Sequence, residues 1–181
     1  ADAAALCALS LDDTETLEDR RRSLIATIGE NITLRRCVVR VQSCDHFGVY
    51  LHQGARIGVV VSLSGGTEEL ARDIAMHVAA TNPLALDESE LDAQVLAKER
   101  EILSAQIADS GKPQQIQEKM LDGRVAKFLK ENTLLSQPFV KDPDVTVAKL
   151  LEKAGAKVCG YTRFEVGEGI EKKTENFADE V

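Results

Sequence analysis

From Asp87 to Asp109 the chain runs without a glycine or a proline, in a composition of Glu, Ala, Leu, Lys and Gln, until Ser110-Gly111-Lys112-Pro113 interrupts it. Such a stretch has few options other than helix. Leu91, Val95 and Ile102, with Leu96 and Leu103, supply apolar stripes, and Ile116, Met120, Val125 and Phe128 supply another after the break. The pattern predicts two antiparallel helices joined by a short turn. At 1.5 Å per residue the first, over 87–108, would be about 33 Å long, more than a small domain buries along its whole length. The hairpin is therefore expected to be an insertion.

The segments on either side read as mixed helix and sheet. Residues 14–26 place Glu15, Glu18 and Asp19 ahead of Arg20, Arg21 and Arg22, the charge order that a helix dipole favours, with Leu17, Leu24 and Ile25 on one stripe. β-branched and aromatic residues then dominate 32–42, 47–52 and 57–63, with a turn expected at 53–56, so a three-stranded antiparallel meander is predicted. Ser64-Gly65-Gly66-Thr67 ends the third strand, and Thr67 opens a helix whose stripe is Leu70, Ile74 and Val78 and which stops before Asn82-Pro83. The last third repeats the logic, with a strand at 138–140, a helix over 144–154 ended by Gly155 and a strand over 156–166. The fold class is α+β, two small antiparallel-sheet-plus-helix subdomains with an inserted antiparallel helical hairpin. Expected boundaries are a linker at 1–13, subdomains at 14–83 and 133–172, the insertion at 84–132 and an acidic tail at 173–181.

Composition narrows the function. With 30 acidic against 22 basic residues the net charge is -8, so no broad positive field is present to hold a nucleic acid. No apolar run approaches the roughly 20 residues of a membrane-spanning helix. Cys7, Cys37, Cys44 and Cys159 contain no CxxC pair, and a chain of 181 residues with its own core does not need a disulfide framework, so a reducing cytoplasm is expected. The first residues have no basic region before their small apolar run and do not read as a signal peptide.

Catalytic signatures are missing. Cys37, Cys44, His46 and His52 match no standard zinc spacing, and on alternating strands their side chains would face different ways. Ser64-Gly65-Gly66 could hold an anion, but a strand-to-helix loop requires the same glycines without one. His77 borders an apolar stripe and reads as a packing residue. The pairs Glu165 with Glu168 and Asp142 with Asp144 define no acid and base without a cleft. No cofactor or metal is expected, and a partner-binding protein is favoured over an enzyme. A small metal-dependent hydrolase using Cys44, His46 and His52 is the enzyme alternative, and an assembly protein acting through the hairpin is the structural one.

Longer strings point to a family. Ile28-Gly29-Glu30-Asn31-Ile32 followed by Arg35-Arg36, then His52-Gln53-Gly54-Ala55-Arg56-Ile57-Gly58-Val59, then Asp73-Ile74-Ala75-Met76-His77-Val78-Ala79-Ala80 resemble, in order, the core of bacterial elongation factor Ts. Gly111-Lys112-Pro113, Gln137-Pro138-Phe139-Val140 and Arg163-Phe164-Glu165-Val166-Gly167-Glu168-Gly169-Ile170-Glu171-Lys172 resemble the same family to its end. The resemblance implies a guanine-nucleotide exchange factor without catalytic residues of its own, which promotes GDP release from elongation factor Tu by binding and distorting it. It implies contacts at Ile28 and Gly29, at His52 or Gln53, and at Val140 and Lys141. Two departures stand out. Gln53 separates His52 from the glycine, so either could take the contact, and Lys141 stands where some members have methionine. The hairpin resembles the family's coiled-coil module, which implies a possible homodimer. The family's N-terminal helical domain and its Asp-Phe motif are not among these residues, so weaker exchange than that of an intact factor is expected.

Overall fold

The computed structural model describes residues 3–11, 14–34, 36–38 and 44–169, and the chain divides into two compact units, 1–43 and 44–181. In the first unit α1 (Ala3–Cys7) and α2 (Leu17–Ile28) are joined through an antiparallel bridge between Ser10 and Thr16. Thr16 starts α2 because its hydroxyl accepts the Asp19 N–H at 3.1 Å while the Asp19 carboxylate accepts the Thr16 N–H at 3.1 Å. This reciprocal cap satisfies donors that a helix start otherwise leaves open. Arg21 pairs with Glu18 at 2.7 Å, and that bond, followed by Arg22, draws the Glu18 carboxyl down to about 2.

The strand expected over 32–42 is not found in its described part. Residues 32–34 and 36–38 have no regular structure, and 35 and 39–42 lie outside the described residues. The Ile32 carbonyl accepts a hydrogen bond from the Arg21 guanidinium at 2.7 Å instead of joining a ladder. β-propensity alone does not hold a strand that lacks a neighbour.

The second unit contains β1 (His46–His52), β2 (Ile57–Ser64), α3 (Glu68–Thr81), α4 (Ala93–Ala108), α5 (Gln114–Asn132), β3 (Pro138–Phe139), β4 (Asp142–Thr146), α6 (Val147–Lys153) and β5 (Lys157–Glu165). Its main sheet has the order β1-β2-β5, all antiparallel, with His52 opposite Ile57 and Ile57 opposite Glu165. The predicted meander is therefore corrected. The third strand of this sheet comes from the end of the chain, and the last strand joins the sheet of β1 and β2. The reason lies in β2, whose Ile-Gly-Val-Val-Val-Ser-Leu-Ser is apolar on both faces and needs a partner along each edge.

α3 covers the sheet. Its N-cap is Thr67, and Ala71, Ile74, Ala75, His77, Val78 and Ala79 are buried. The helix backbone at Ala71 and Arg72 comes so close to Gly48 of β1 that a Cβ there would overlap it, so glycine sets the spacing of helix and sheet. Val59, Val61, Leu63, Ile74 and Val78 join Leu134, Phe139, Val147, Leu151 and Val158 in one hydrophobic cluster. Truncating a fully buried member such as Leu63 or Ile74 to alanine costs about 2 to 5 kcal/mol.

Two boundaries moved. The first hairpin helix begins at Ala93, not Asp87: Asp87 caps a single 3-10 turn at Glu88–Glu90, Leu91 is extended, and Asp92 accepts the Gln94 N–H at 2.8 Å to start α4. The helix predicted over 144–154 begins at Val147, because 142–146 pair with β3 and Thr146 supplies the cap. Ile107 of α4 and Val125 of α5 are buried, Arg124 donates to Gln106 at 3.2 Å, and the base of the hairpin is tied by Leu84 N–H to Asn132 O and Leu134 N–H to Ala85 O, each 2.9 Å. No helix among the described residues is long and apolar enough to cross a membrane. The string at Ile170 to Lys172 and the tail at 173–181 lie outside the described residues.

The cysteine expectation is also corrected. Cys44, just before β1, is disulfide-bonded to Cys159 of β5 across a sequence separation of 115, with Cα atoms 6.8 Å apart, while Cys7 and Cys37 are not disulfide-bonded. The pairing is created by β5 lying in the same sheet as β1, which no spacing in the sequence announces. We expect unreduced folded protein to offer two thiols to a thiol reagent after denaturation and reduced protein four. Reduction should lower thermal stability by about 2 to 4 kcal/mol, the range for cross-links closing long loops. Four titratable thiols in unreduced protein, with no change in melting temperature on reduction, would contradict the bond.

Candidate partner-binding site

Ile28 is the last residue of α2 and 56% exposed, and Gly29 follows it in the left-handed conformation, φ 79°, with its N–H on the Ile25 carbonyl. Space around Gly29 is open, so its glycine is required by the helix cap rather than by a close neighbour within the chain. Both residues belong to the first unit.

The turn between β1 and β2 has three successive left-handed residues, Gln53 (φ 50°), Gly54 (φ 64°) and Ala55 (φ 68°). Only one is glycine, so the turn carries strain of about 1 kcal/mol or more at each of the others. It is held from the β5 side, where the Val166 N–H donates to the Arg56 carbonyl at 2.8 Å. At its entrance the half-buried His52 stacks on Tyr50, ring centroids 5.9 Å apart, with the Tyr50 hydroxyl 3.2 Å from His52 Nδ1.

Val140 and Lys141 are the two central residues of the β3–β4 hairpin, between Phe139 and its partner Asp142. Val140 is 44% exposed, and its N–H donates to Nδ1 of His77 at 3.2 Å. The Lys141 ammonium pairs with Asp73 at 2.6 Å. His77 itself is fully buried, and since its Nδ1 accepts, its Nε2 carries the proton and donates to Gln137 Oε1 at 2.9 Å. Gln137 Oε1 also accepts from the Thr81 hydroxyl at 2.9 Å, and Gln137 Nε2 donates to the Glu131 carbonyl at 2.7 Å, so each of these polar atoms is satisfied.

A cleft of about 260 Å³ is lined by Tyr50 of β1, by Glu69, Arg72, Asp73 and Met76 of α3, and by Lys141 of the β3–β4 turn. The structure thus brings the neighbour of His52 and Lys141 itself to one cleft on α3. The packing reading of His77 holds, since the ring is fully buried beside Phe139, but its hydrogen bonds to the hairpin and the pairing of Asp73 with Lys141 go beyond it. The i, i+4 spacing of Asp73 and His77 on one helix face was the available signal.

Other candidates take ordinary roles. The Asp45 carboxylate accepts the Gly65 N–H at 2.6 Å and the Ser64 hydroxyl at 3.2 Å, so donors of the glycine loop are already used by the chain, and these bonds hold Asp45 below the usual carboxylate range. Cys44 is in the disulfide, and His46 and His52 stand at opposite ends of a seven-residue strand. Glu165 is paired with Arg163 at 2.7 Å, and Asp142 accepts the Asp144 N–H at 3.3 Å. Among the described residues no group of His, Cys, Asp and Glu is arranged to hold a metal.

The family model for "Elongation factor TS" matches residues 1–168. The chain belongs to the elongation factor Ts family. It is 55% identical to an elongation factor Ts of Thioalkalivibrio sulfidiphilus over 182 aligned residues, covering 100% of this chain and 61% of the relative. It is 58% identical to that of Methylococcus capsulatus, covering 92% of this chain and 56% of the relative. With the protein of Alkalilimnicola ehrlichii the identity is 53%, covering 99% and 61%. The chain therefore spans about three fifths of the length of the elongation factor Ts proteins it matches.

Burial holds the His77 imidazole below its ordinary value, opposed by the Gln137 bond. The unfolded chain thus takes up a proton first as the pH falls below about 6.5, and the native state loses stability from there down to the folded value. We expect the urea midpoint to fall more steeply between pH 7 and pH 5 in the parent than in His77→Gln, which starts lower. Equal slopes would show that His77 is not the group responsible.

Proposed function

We propose that this chain acts as a guanine-nucleotide exchange factor on elongation factor Tu during protein synthesis in the cytoplasm. The observation that carries the reading is the elongation factor Ts family match along 1–168. The geometry suits it: the turns at 53–56 and 140–141 are exposed and held by bonds from elsewhere in the chain, as a surface that grips another protein requires. In this reading Ile28 and Gly29, His52 or Gln53, and Val140 with Lys141 contact the GTPase. The factor accelerates GDP release by binding the empty GTPase more tightly than the GDP-bound one, since equal affinity for both would shift no equilibrium. The chain contributes contacts and takes part in no bond-breaking step.

A second reading is favoured by the hairpin. Val95 and Ile102, seven residues apart on α4, and Ile116 on α5 are 41 to 46% exposed, which suits a coiled-coil arm that pairs with a second copy. In that reading the chain assembles through α4 and α5 and does not promote exchange.

Release of a fluorescent GDP analogue from elongation factor Tu, chased with excess GDP, tests both. The expected result is a release rate that rises with the concentration of this chain. A rate equal to the spontaneous one at every concentration, together with no complex with the nucleotide-free GTPase on gel filtration, would overturn the exchange reading. Self-association under those conditions would then favour the second.

A further inference from the structure

We infer that Asp73 and His77 of α3 are positioning residues that impose the binding shape of the turn at Val140 and Lys141. This rests on the reading above, in which that turn contacts the GTPase. The hairpin itself contains a conflict. Two-residue hairpin loops match the twist of their strands when central residues adopt positive φ, and neither Val140 nor Lys141 does so. β3 has only two residues and its pairing with β4 shifts register between Pro138 and Phe139, so the ladder is too short to fix the loop. The shape must come from elsewhere.

α3 supplies it at three points. His77 Nδ1 accepts the Val140 N–H at 3.2 Å, and its Nε2 donates to Gln137 at 2.9 Å, so one buried ring holds the hairpin on both sides of Phe139. The Phe139 ring itself lies 5.8 Å from the imidazole. One helical turn earlier Asp73 takes the Lys141 ammonium at 2.6 Å, at the cleft shared with Tyr50. Because α3 also packs on β1, one rigid helix sets the position of the 139–142 turn relative to the strand that ends in His52. Val140 then needs no glycine and no primed turn to present its side chain.

The test uses the full chain and nucleotide-free elongation factor Tu, with two readouts: amide hydrogen exchange at Val140 in the free chain, and affinity for the GTPase. His77→Gln keeps a donor near Nε2 but removes the Val140 acceptor. His77→Asn keeps an acceptor near Nδ1. We expect Val140 exchange to quicken at least tenfold in His77→Gln and affinity to fall about tenfold, the size of one lost buried hydrogen bond. His77→Asn should stay nearer the parent on both counts, and the losses of His77→Gln and Val140→Ala should be less than additive. Asp73→Asn, a change at a partly exposed site, should weaken binding several-fold with the fold intact, which keeps the proposal open to refutation if His77→Gln does not fold.

Unchanged Val140 exchange in folded His77→Gln would overturn the clamp. Faster exchange with parental affinity, while Val140→Ala binds weakly, would overturn positioning and leave the exchange reading standing. A parent chain that does not bind the GTPase at all would sink the exchange reading, and with it the functional role of the clamp, whatever Val140 exchange showed.

Discussion

β2 is bonded along both edges and buried beneath α3, and the arrangement of the second unit follows from that double demand. Val59, Val61 and Leu63 point under α3 and are 0 to 1% exposed, so the strand cannot lie at an edge without leaving a ladder of donors and acceptors open. β1 fills one edge and ends in the 53–56 turn; β5 fills the other and ties that turn down through Val166. α3, seated on the same strand and spaced by Gly48, reaches the 139–142 hairpin with Asp73 and His77. Two segments separated by more than eighty residues of chain are thus fixed to one scaffold.

Besides the Asn82 cap of α3, the unusual conformations fall in the exposed turns that this scaffold carries. Gln53 and Ala55 are left-handed without being glycine, and the Val140-Lys141 turn lacks the twist that its strands would choose. Local preference is overruled by tertiary contacts at both places, the kind of conflict that folded proteins keep mainly where a surface is used. The exchange role proposed above suits such an arrangement. What an exchange factor must do to a GTPase is bind one of its states better than another, and rigid turns held at a fixed spacing serve that purpose without any reactive group.

What the sequence revealed was local. The hairpin at 53–56, β1, β2, α3 with its Thr67 cap and two helices with a break at 109–113 all declare themselves through short-range periodicity, turn residues and caps. What stayed hidden was long-range. The pairing of β5 with β2, the Cys44–Cys159 bond and the bond from Val140 to His77 each join residues dozens of positions apart, and nothing within either segment names its partner. The described residues 32–34 and 36–38 show the converse error, strand-forming composition without regular structure. The first hairpin helix is predicted from Asp87 because the run free of glycine and proline starts there, whereas the two capping aspartates, Asp87 and Asp92, divide it. At the proposed site the resemblance picks out Val140 and Lys141, but of the side chains that hold them His77 reads only as packing and Asp73 carries no signal of its own.

The claim that two turns set by α3 form one gripping surface is tested most directly by hydrogen exchange across the whole chain with and without nucleotide-free elongation factor Tu. We expect added protection at 52–56 and 139–142 together, with 93–132 unchanged. Protection confined to 93–132, with both turns exchanging as in the free chain, would contradict it.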